Sequence, residues 1–451
     1  MLRCPGTLTR RSFVRSGLAG LTSLSLADLL RAEQLAANAA DSRSAFRGKS
    51  MIVLWLWGGP SHMETFDLKP QAPSEYRGEF RPIETTVPGL QICEHLPLLA
   101  QQADKFALVR SLHHDSPGHV NSTHTMLTGY PGLVAETPPF QPKYPDARAV
   151  ISRALGARSP QAPTHVSLPK AVYYGPAYLG GGLDPMSVSE DPNSPGFKAT
   201  GFSVGVEGQA RFRDRYSLLT SIDGYRRELD VAGSMASLDQ YQQQAASILT
   251  SDATRQAFDL STESPAVRDR YGRHTVGQRC LLARRLVEAG TRLVTVDFPT
   301  VPGQKAFSWD DHASVWNIFE QMKIRLPVLD QVVSALIEDI YARQLQNDVL
   351  VVVMGEMSHT PRLSNFNGQP GREHWGQTMS VLMSGGGLRM GQAVGSTGIK
   401  GDEPAVRPLT PNDLLATWYQ ALGIPLDLAF RDHAGRPTPI LPTGKPIHEL
   451  I

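Results

Sequence analysis

Met51-Ile52-Val53-Leu54-Trp55-Leu56-Trp57, followed at once by Gly58-Gly59-Pro60-Ser61-His62, is the stretch on which the fold turns. An unbroken apolar run has none of the polar/apolar alternation of a strand with one wet face. Bounded by a glycine turn, it reads as a strand covered on both faces. Phe106 to Val109, Arg292 to Phe298, Val349 to Met354 and Met379 to Met383 repeat the pattern. Between them lie helical periodicities. Gly277 to Ala289 carries Cys280, Leu281, Leu282, Leu286 and Val287 before Gly290, and Ile318 to Leu345 repeats Ile324, Val328, Val332, Leu336 and Ile340. Alternation of strand and helix predicts an α/β fold with a mainly parallel central sheet flanked by helices. Residues 135–270 depart from this. They are rich in Pro, Gly and Ser to about Gly208, then polar and helical from about Ser217 to Asp259, and are expected to be an insertion or lid within one domain spanning 46–451.

Composition narrows the function. Lys and Arg number 44 against 43 Asp and Glu, so the net charge of +1 supplies no field to hold nucleic acid or an acidic membrane face. Cys4, Cys93 and Cys280 are far apart and form no CxxC, which excludes a disulfide scaffold or a thiolate zinc site. Any metal must therefore use His and carboxylates. At the N-terminus, Thr9-Arg10-Arg11-Ser12-Phe13-Val14-Arg15 precedes a weakly apolar run from Ser16 to Leu30 and then Ala37-Asn38-Ala39. A basic start, a short apolar stretch and an A-x-A site over residues 1–40 read as an export signal, and the paired arginines resemble the twin-arginine type. The expected location is the periplasm or the extracellular medium. An amphipathic N-terminal helix is the alternative, and no stretch reaches membrane-spanning length.

In open parallel sheets, ligands bind beyond the carboxyl ends of the strands, where loops converge and helix N-termini point. The residues following each run are therefore informative. Gly58-Gly59-Pro60-Ser61-His62-Met63-Glu64-Thr65-Phe66-Asp67 follows the first. His113-His114-Asp115-Ser116-Pro117-Gly118-His119 follows the second and leads to His124. Trp309-Asp310-Asp311-His312 comes after the third, Gly355-Glu356-Met357-Ser358-His359-Thr360-Pro361-Arg362 ends the fourth, and Gly371-Arg372-Glu373-His374-Trp375 precedes the fifth. Eight of the thirteen histidines fall in these places. Histidine with carboxylate suits Zn, Mn or Fe, and Ca or Mg where oxygen dominates. Asp310 and His312, two apart on an extended segment, point the same way and form a usable chelate. Glu356, behind a run of Val and Leu, needs a cation or an arginine such as Arg362 or Arg372 to offset its burial.

Taken together, Gly58-Gly59-Pro60-Ser61-His62, Phe66-Asp67-Leu68-Lys69-Pro70, Leu127-Thr128-Gly129-Tyr130, Ala283-Arg284-Arg285-Leu286-Val287-Glu288-Ala289-Gly290, Trp309-Asp310-Asp311-His312 and Gly355-Glu356-Met357-Ser358-His359-Thr360-Pro361 resemble an exported bacterial family of unknown function. That family is described as sulfatase-like and placed in the alkaline phosphatase superfamily. The likeness runs from the export signal to Pro425. It implies a metal-dependent hydrolase of phosphate or sulfate esters with one or two metals, and an alkaline phosphatase-like fold. Glu356 looks like the carboxylate after the fourth strand, His374 like the downstream histidine ligand, and Asp310 with His312 like the central pair. Glu64 and Asp67 both remain candidates for the first-strand acid. The chain departs from the sulfatases in having no C/S-x-P-S-R ahead of Leu127-Thr128-Gly129, where it has His119-Val120-Asn121-Ser122-Thr123. The aldehyde nucleophile made from that motif is therefore absent. Ser116, Ser122 or Thr123 could stand in, a metal-bound water could attack, or His119 could itself bind metal. Met357 occupies a position that is histidine in the superfamily, with His359 two residues on.

The resulting expectation is an exported hydrolase of an anionic ester, such as that of a sulfated or phosphorylated glycan. A divalent metal (Zn, Ca, Mg or Mn) would be held by Asp310, His312, Glu356 and His374. Arg110, Arg362 or Arg372 would grip the anion. His62, His114, His119 and Ser122 are the catalytic candidates. Two other readings stand beside it: a binding or scaffold protein that keeps the fold without the chemistry, and an exported oxidoreductase holding iron on His and carboxylates.

Overall fold

A computed structural model describes residues 48–451 except 117, 133–134, 139, 170–174, 198, 200–246, 249–250, 299 and 306–307. The expected signal segment and most of the expected 217–259 helical region lie outside the described residues. Residues 49–451 form a unit of their own.

Its sheet contains β1 (Ser50–Trp55), β2 (Ala107–Leu112), β3 (His165–Leu168), β4 (Met186–Ser187), β5 (Leu293–Asp297), β6 (Val349–Met354), β9 (Met379–Gly385) and β10 (Gln392–Val394); β7 (Ser358–His359) and β8 (His374–Trp375) form a separate hairpin. The order across the sheet is β10-β2-β9-β6-β1-β5-β3-β4. Only β9 runs antiparallel to its neighbours, so the expectation of a mainly parallel sheet holds. Strand side chains alternate between two apolar cores. Ile52, Leu54, Val351 and Val353 point to one, and Met51, Val53, Trp55, Leu350 and Val352 to the other. Because both faces are covered, apolar residues are required at every position, and this is why β1 and β6 read as unbroken runs.

Helices α3 (Thr275–Glu288) and α4 (Ile318–Ala342) supply the first core through Leu281, Leu282, Leu329 and Leu336. Helices α1 (His119–Thr128), α2 (Ala147–Leu155) and α5 (Pro411–Leu422) supply the second through Met126, Val150, Leu415 and Trp418. None of the helices among the described residues is long and apolar enough to cross a membrane. Cys93 and Cys280 are buried free thiols.

The segment 135–270, expected as an insertion, contributes α2, β3 and β4, so part of it builds the sheet edge. β3 carries His165 and Ser167 in its four residues, and His165 Nε2 lies 3.0 Å from Thr295 Oγ1 on β5. Short and half polar, it has no apolar run to reveal it.

Candidate metal centre

Strand ends β1, β5 and β6 lie side by side, and their loops meet over the sheet's carboxyl edge. Gly58 makes the meeting possible. Its φ is +100°, and a Cβ there would stand 2.5 Å from the Asp310 amide nitrogen. The loop after β1 thus presses on residues 309–310, and the Trp309 amide donates to the Trp57 carbonyl at 2.8 Å. Beyond it the chain alternates, as the spacing predicts. Asp310 and His312 face the centre, while Asp311 turns inward to a fully buried ion pair with Arg325.

The β7–β8 hairpin brings in two more imidazoles, because His359 and His374 are directly opposed partners on it. Around Asp310 Oδ1 lie three ring nitrogens: His312 Nε2 at 2.9 Å, His374 Nε2 at 3.1 Å and His359 Nε2 at 3.3 Å. Asp310 Oδ2 lies 3.2 Å from Nε2 of His119, the first residue of α1. Two overlapping groups, His119–Asp310–His374 and Asp310–His312–His359, each offer donor atoms within 4.8 Å of one another. His312 Nε2 and His374 Nε2 are 3.0 Å apart, so the two cannot both carry hydrogens toward each other and one must present a lone pair. His359 Nε2 accepts from the Asp311 amide at 3.3 Å and so also offers a lone pair, while its Nδ1 is buried without a partner. Lone pairs converging on a carboxylate form a donor set that fits a divalent cation.

Carboxylates behind the rings orient them. Glu373 hydrogen-bonds His312 Nδ1 and is held in turn by Ser364 Oγ at 2.9 Å. Glu356 Oε1 lies 2.8 Å from His119 Nδ1 and accepts the Gly58 amide at 2.9 Å; its other oxygen is buried and unpartnered. Such contacts fix the tautomer and ring angle of an imidazole. The charges respond accordingly. Burial opposes ionisation of Asp310, but the four imidazoles overcome it and hold the carboxyl far below its ordinary range. Burial likewise opposes charge on His119, which its two carboxylates nevertheless raise to about 10; His312, led by Asp310, is raised to about 9. Burial dominates at His359, which is lowered, and at Glu356, which is raised. His359 and Glu356 are wholly buried whereas the His374 side chain is 34% exposed, so the centre opens on the His374 side.

The structure therefore gathers Asp310, His312, His374 and His119 at one point, adds His359, and sets Glu356 behind His119. Other candidates lie elsewhere. His62 is buried between Ser358 Oγ (2.7 Å) and the Gly401 carbonyl (2.8 Å), and burial lowers it to about 4. His114 bonds the Glu356 carbonyl and the Ser116 amide. Ser122 donates to the Ser116 carbonyl at 3.0 Å. Arg372 is wholly buried, paired to Glu64 at 2.7 and 2.9 Å and bonded to the Tyr76, Thr360 and Pro361 carbonyls, so no edge is left for an anion. Arg110 donates to the Gln91 carbonyl, and Arg362 is exposed. Glu136 caps the start of α1, accepting the Val120 and Asn121 amides at 3.0 Å. Sequence reasoning missed the roles of His359 and Glu373. The signal available was a histidine on each side of a Gly-containing turn, Ser358-His359 and His374-Trp375.

Fold and site together define an α/β protein with a His- and carboxylate-lined centre at the carboxyl edge of a mainly parallel sheet. More particularly, residues 48–451 match the family described as protein of unknown function (DUF1501), and the chain belongs to it. No curated protein matches the chain. Among solved structures it is similar to a sulfatase from Pseudoalteromonas sp., with 10% identity, a TM-score of 0.37, and coverage of 88% of this chain and 72% of that one. A phosphonate monoester hydrolase from Silicibacter pomeroyi shows 10% identity and a TM-score of 0.35, over 89% and 76%. A lipoteichoic acid synthase from Listeria monocytogenes shows 8% and 0.37, over 85% and 74%.

Proposed function

We propose that this chain is an exported, metal-dependent hydrolase of a sulfate or phosphate ester. The observation that carries the reading is the meeting of His312, His359 and His374 on one oxygen of Asp310, with His119 on the other. Asp310, His312, His359 and His374 would hold the cation, which when bound supplies Lewis-acid stabilisation of the ester oxygens. His119 is the proton-handling group. Glu356 anchors its Nδ1, leaving Nε2 toward the centre and placed to pass a proton to or from an ester oxygen. Ser122 is committed to a carbonyl, Ser116 Oγ is engaged with Thr125 Oγ1 at 2.6 Å, Thr123 is wholly buried and the aldehyde-forming motif is missing, so water is the nucleophile of this reading.

Elemental analysis of the mature protein, paired with a panel of aryl sulfates, phosphates and phosphodiesters, tests the reading. Expected are stoichiometric metal, hydrolysis of at least one ester, and loss of both in Asp310→Ala. Protein that neither holds metal nor is stabilised by adding it defeats the proposal. Metal without turnover would identify a binding protein instead.

A further inference from the structure

An anionic ester needs hydrogen-bond donors for its oxygens, and Arg372 is committed to Glu64. Another set of donors stands at the start of α1. His119 is the first residue of that helix and its Nε2 lies 3.2 Å from Asp310 Oδ2, so the amides of the first turn follow directly on the centre. Two of them converge on one group. The Val120 amide donates to Glu136 Oε2 and the Asn121 amide to Glu136 Oε1, each at 3.0 Å, and the side-chain amide of Asn121, a residue only 4% exposed, donates to the same Oε1. Gly118, at the N-cap, leaves the room: its φ is +69°, and a Cβ there would stand 2.8 Å from the Glu136 carboxyl carbon. Two backbone amides and a buried side-chain amide thus hold this carboxylate as they would hold the oxygens of a sulfate or phosphate group. Glu136 itself is an exposed residue. An independent observation points to a ligand at the same helix start. Glu356 is wholly buried with one oxygen on His119 Nδ1 and the other without a partner, and beside it four imidazoles and Asp310 form the cation-binding donor set.

We infer that the Glu136 carboxylate is an internal competitor for the substrate's anionic group. It occupies the Val120 and Asn121 donors in the free protein, and the sulfate or phosphate group of an ester takes its place on them. Because Glu136 is exposed, rotation of its side chain is enough to vacate the donors, and no bond is made or broken. A group tethered on the same chain competes at an effective concentration on the order of millimolar, so oxyanions that bind these donors weakly are shut out while a ligand also held at the centre displaces it. The inference rests on the hydrolase reading for the nature of the ligand, and adds where its oxygens are held and that the chain contests the place.

The test is calorimetric titration of inorganic sulfate and inorganic phosphate into wild type, Glu136→Gln and Glu136→Ala, before and after chelation of metal, with KM measured for the ester panel. Both variants should bind at least one of the two oxyanions about tenfold more tightly than wild type, because apparent affinity scales with the fraction of protein whose site is open. The gain should survive chelation, since amides and not the cation provide it, and adding Asn121→Ala to Glu136→Ala should remove it. If Glu136→Ala does not fold, the near-isosteric Glu136→Gln decides. If Glu136 does no more than cap α1, both variants lose stability and bind sulfate and phosphate no more tightly than wild type, which overturns the inference. Tighter oxyanion binding by the variants, in a protein that holds no metal and turns over no ester, upholds it and removes the hydrolase reading. Turnover with one KM and one oxyanion affinity across wild type and both variants keeps the hydrolase and removes the inference, so the two failures are distinguishable.

Discussion

Arg372→Met separates the two roles open to that arginine. In the structure its guanidinium is wholly buried, gripped by both oxygens of Glu64 and by three backbone carbonyls, and it precedes the strand that carries His374 by two residues. Breaking a buried ion pair by removing one partner costs about 3–5 kcal/mol, since the other charge is left without compensation. Glu64 would keep only the Ser61 hydroxyl, so the full range applies to Arg372→Met. In Glu64→Gln the carbonyls still serve Arg372, which places that variant near the lower end. The domain's total stability is of order 5–15 kcal/mol, so either variant should fold with a much lower urea midpoint. The double variant should lose less than the sum of the two, with a coupling of about 0.5–3 kcal/mol. Urea unfolding followed by tryptophan fluorescence, with metal content measured alongside, reads all three. If Arg372→Met unfolds at the wild-type midpoint while KM for an ester rises, the arginine reaches substrate and the anchoring argument is wrong.

Three further outcomes are expected. His62 is buried neutral and lowered from 6.5 to about 4, so between these values the unfolded chain binds a proton that the native protein refuses. Its contribution is complete above pH 6.5 and declines as pH falls toward 4, by about 3 kcal/mol in all at ~1.4 kcal/mol per unit; His62→Gln should flatten the stability profile over that window, and an unchanged profile counts against the assignment. Glu373→Gln should weaken metal binding by roughly 10–100-fold through its hold on His312, as measured by competition with a chelating dye. A chelator should lower the unfolding free energy of wild type by an amount that depends on free metal, about 4 kcal/mol at 1,000 times Kd, and should leave that of Asp310→Ala unmoved.

The order of strands and helices was legible because burial of β1, β5 and β6 on both faces leaves no polar position in them, and such runs stand out in any reading. β3 escaped because it is short and half polar, with His165 satisfied by a side chain on its neighbour. At the site, the spacing of Asp310 and His312 was enough to put them on one side of the chain, since alternation is a local property of extended backbone. Local chemistry says nothing about partners brought together over long loops. Glu64 and Arg372 are 308 residues apart, and only their pairing shows that this arginine is consumed. Likewise, His359 and His374 share the centre because β7 and β8 pair in that register. Sequence alone thus located the loops rich in His and carboxylate that follow the buried strands, because an unbroken apolar run shows where each strand ends. The tertiary structure decided which of their side chains converge and which are already satisfied, because a buried charge is defined by the neighbours that compensate it.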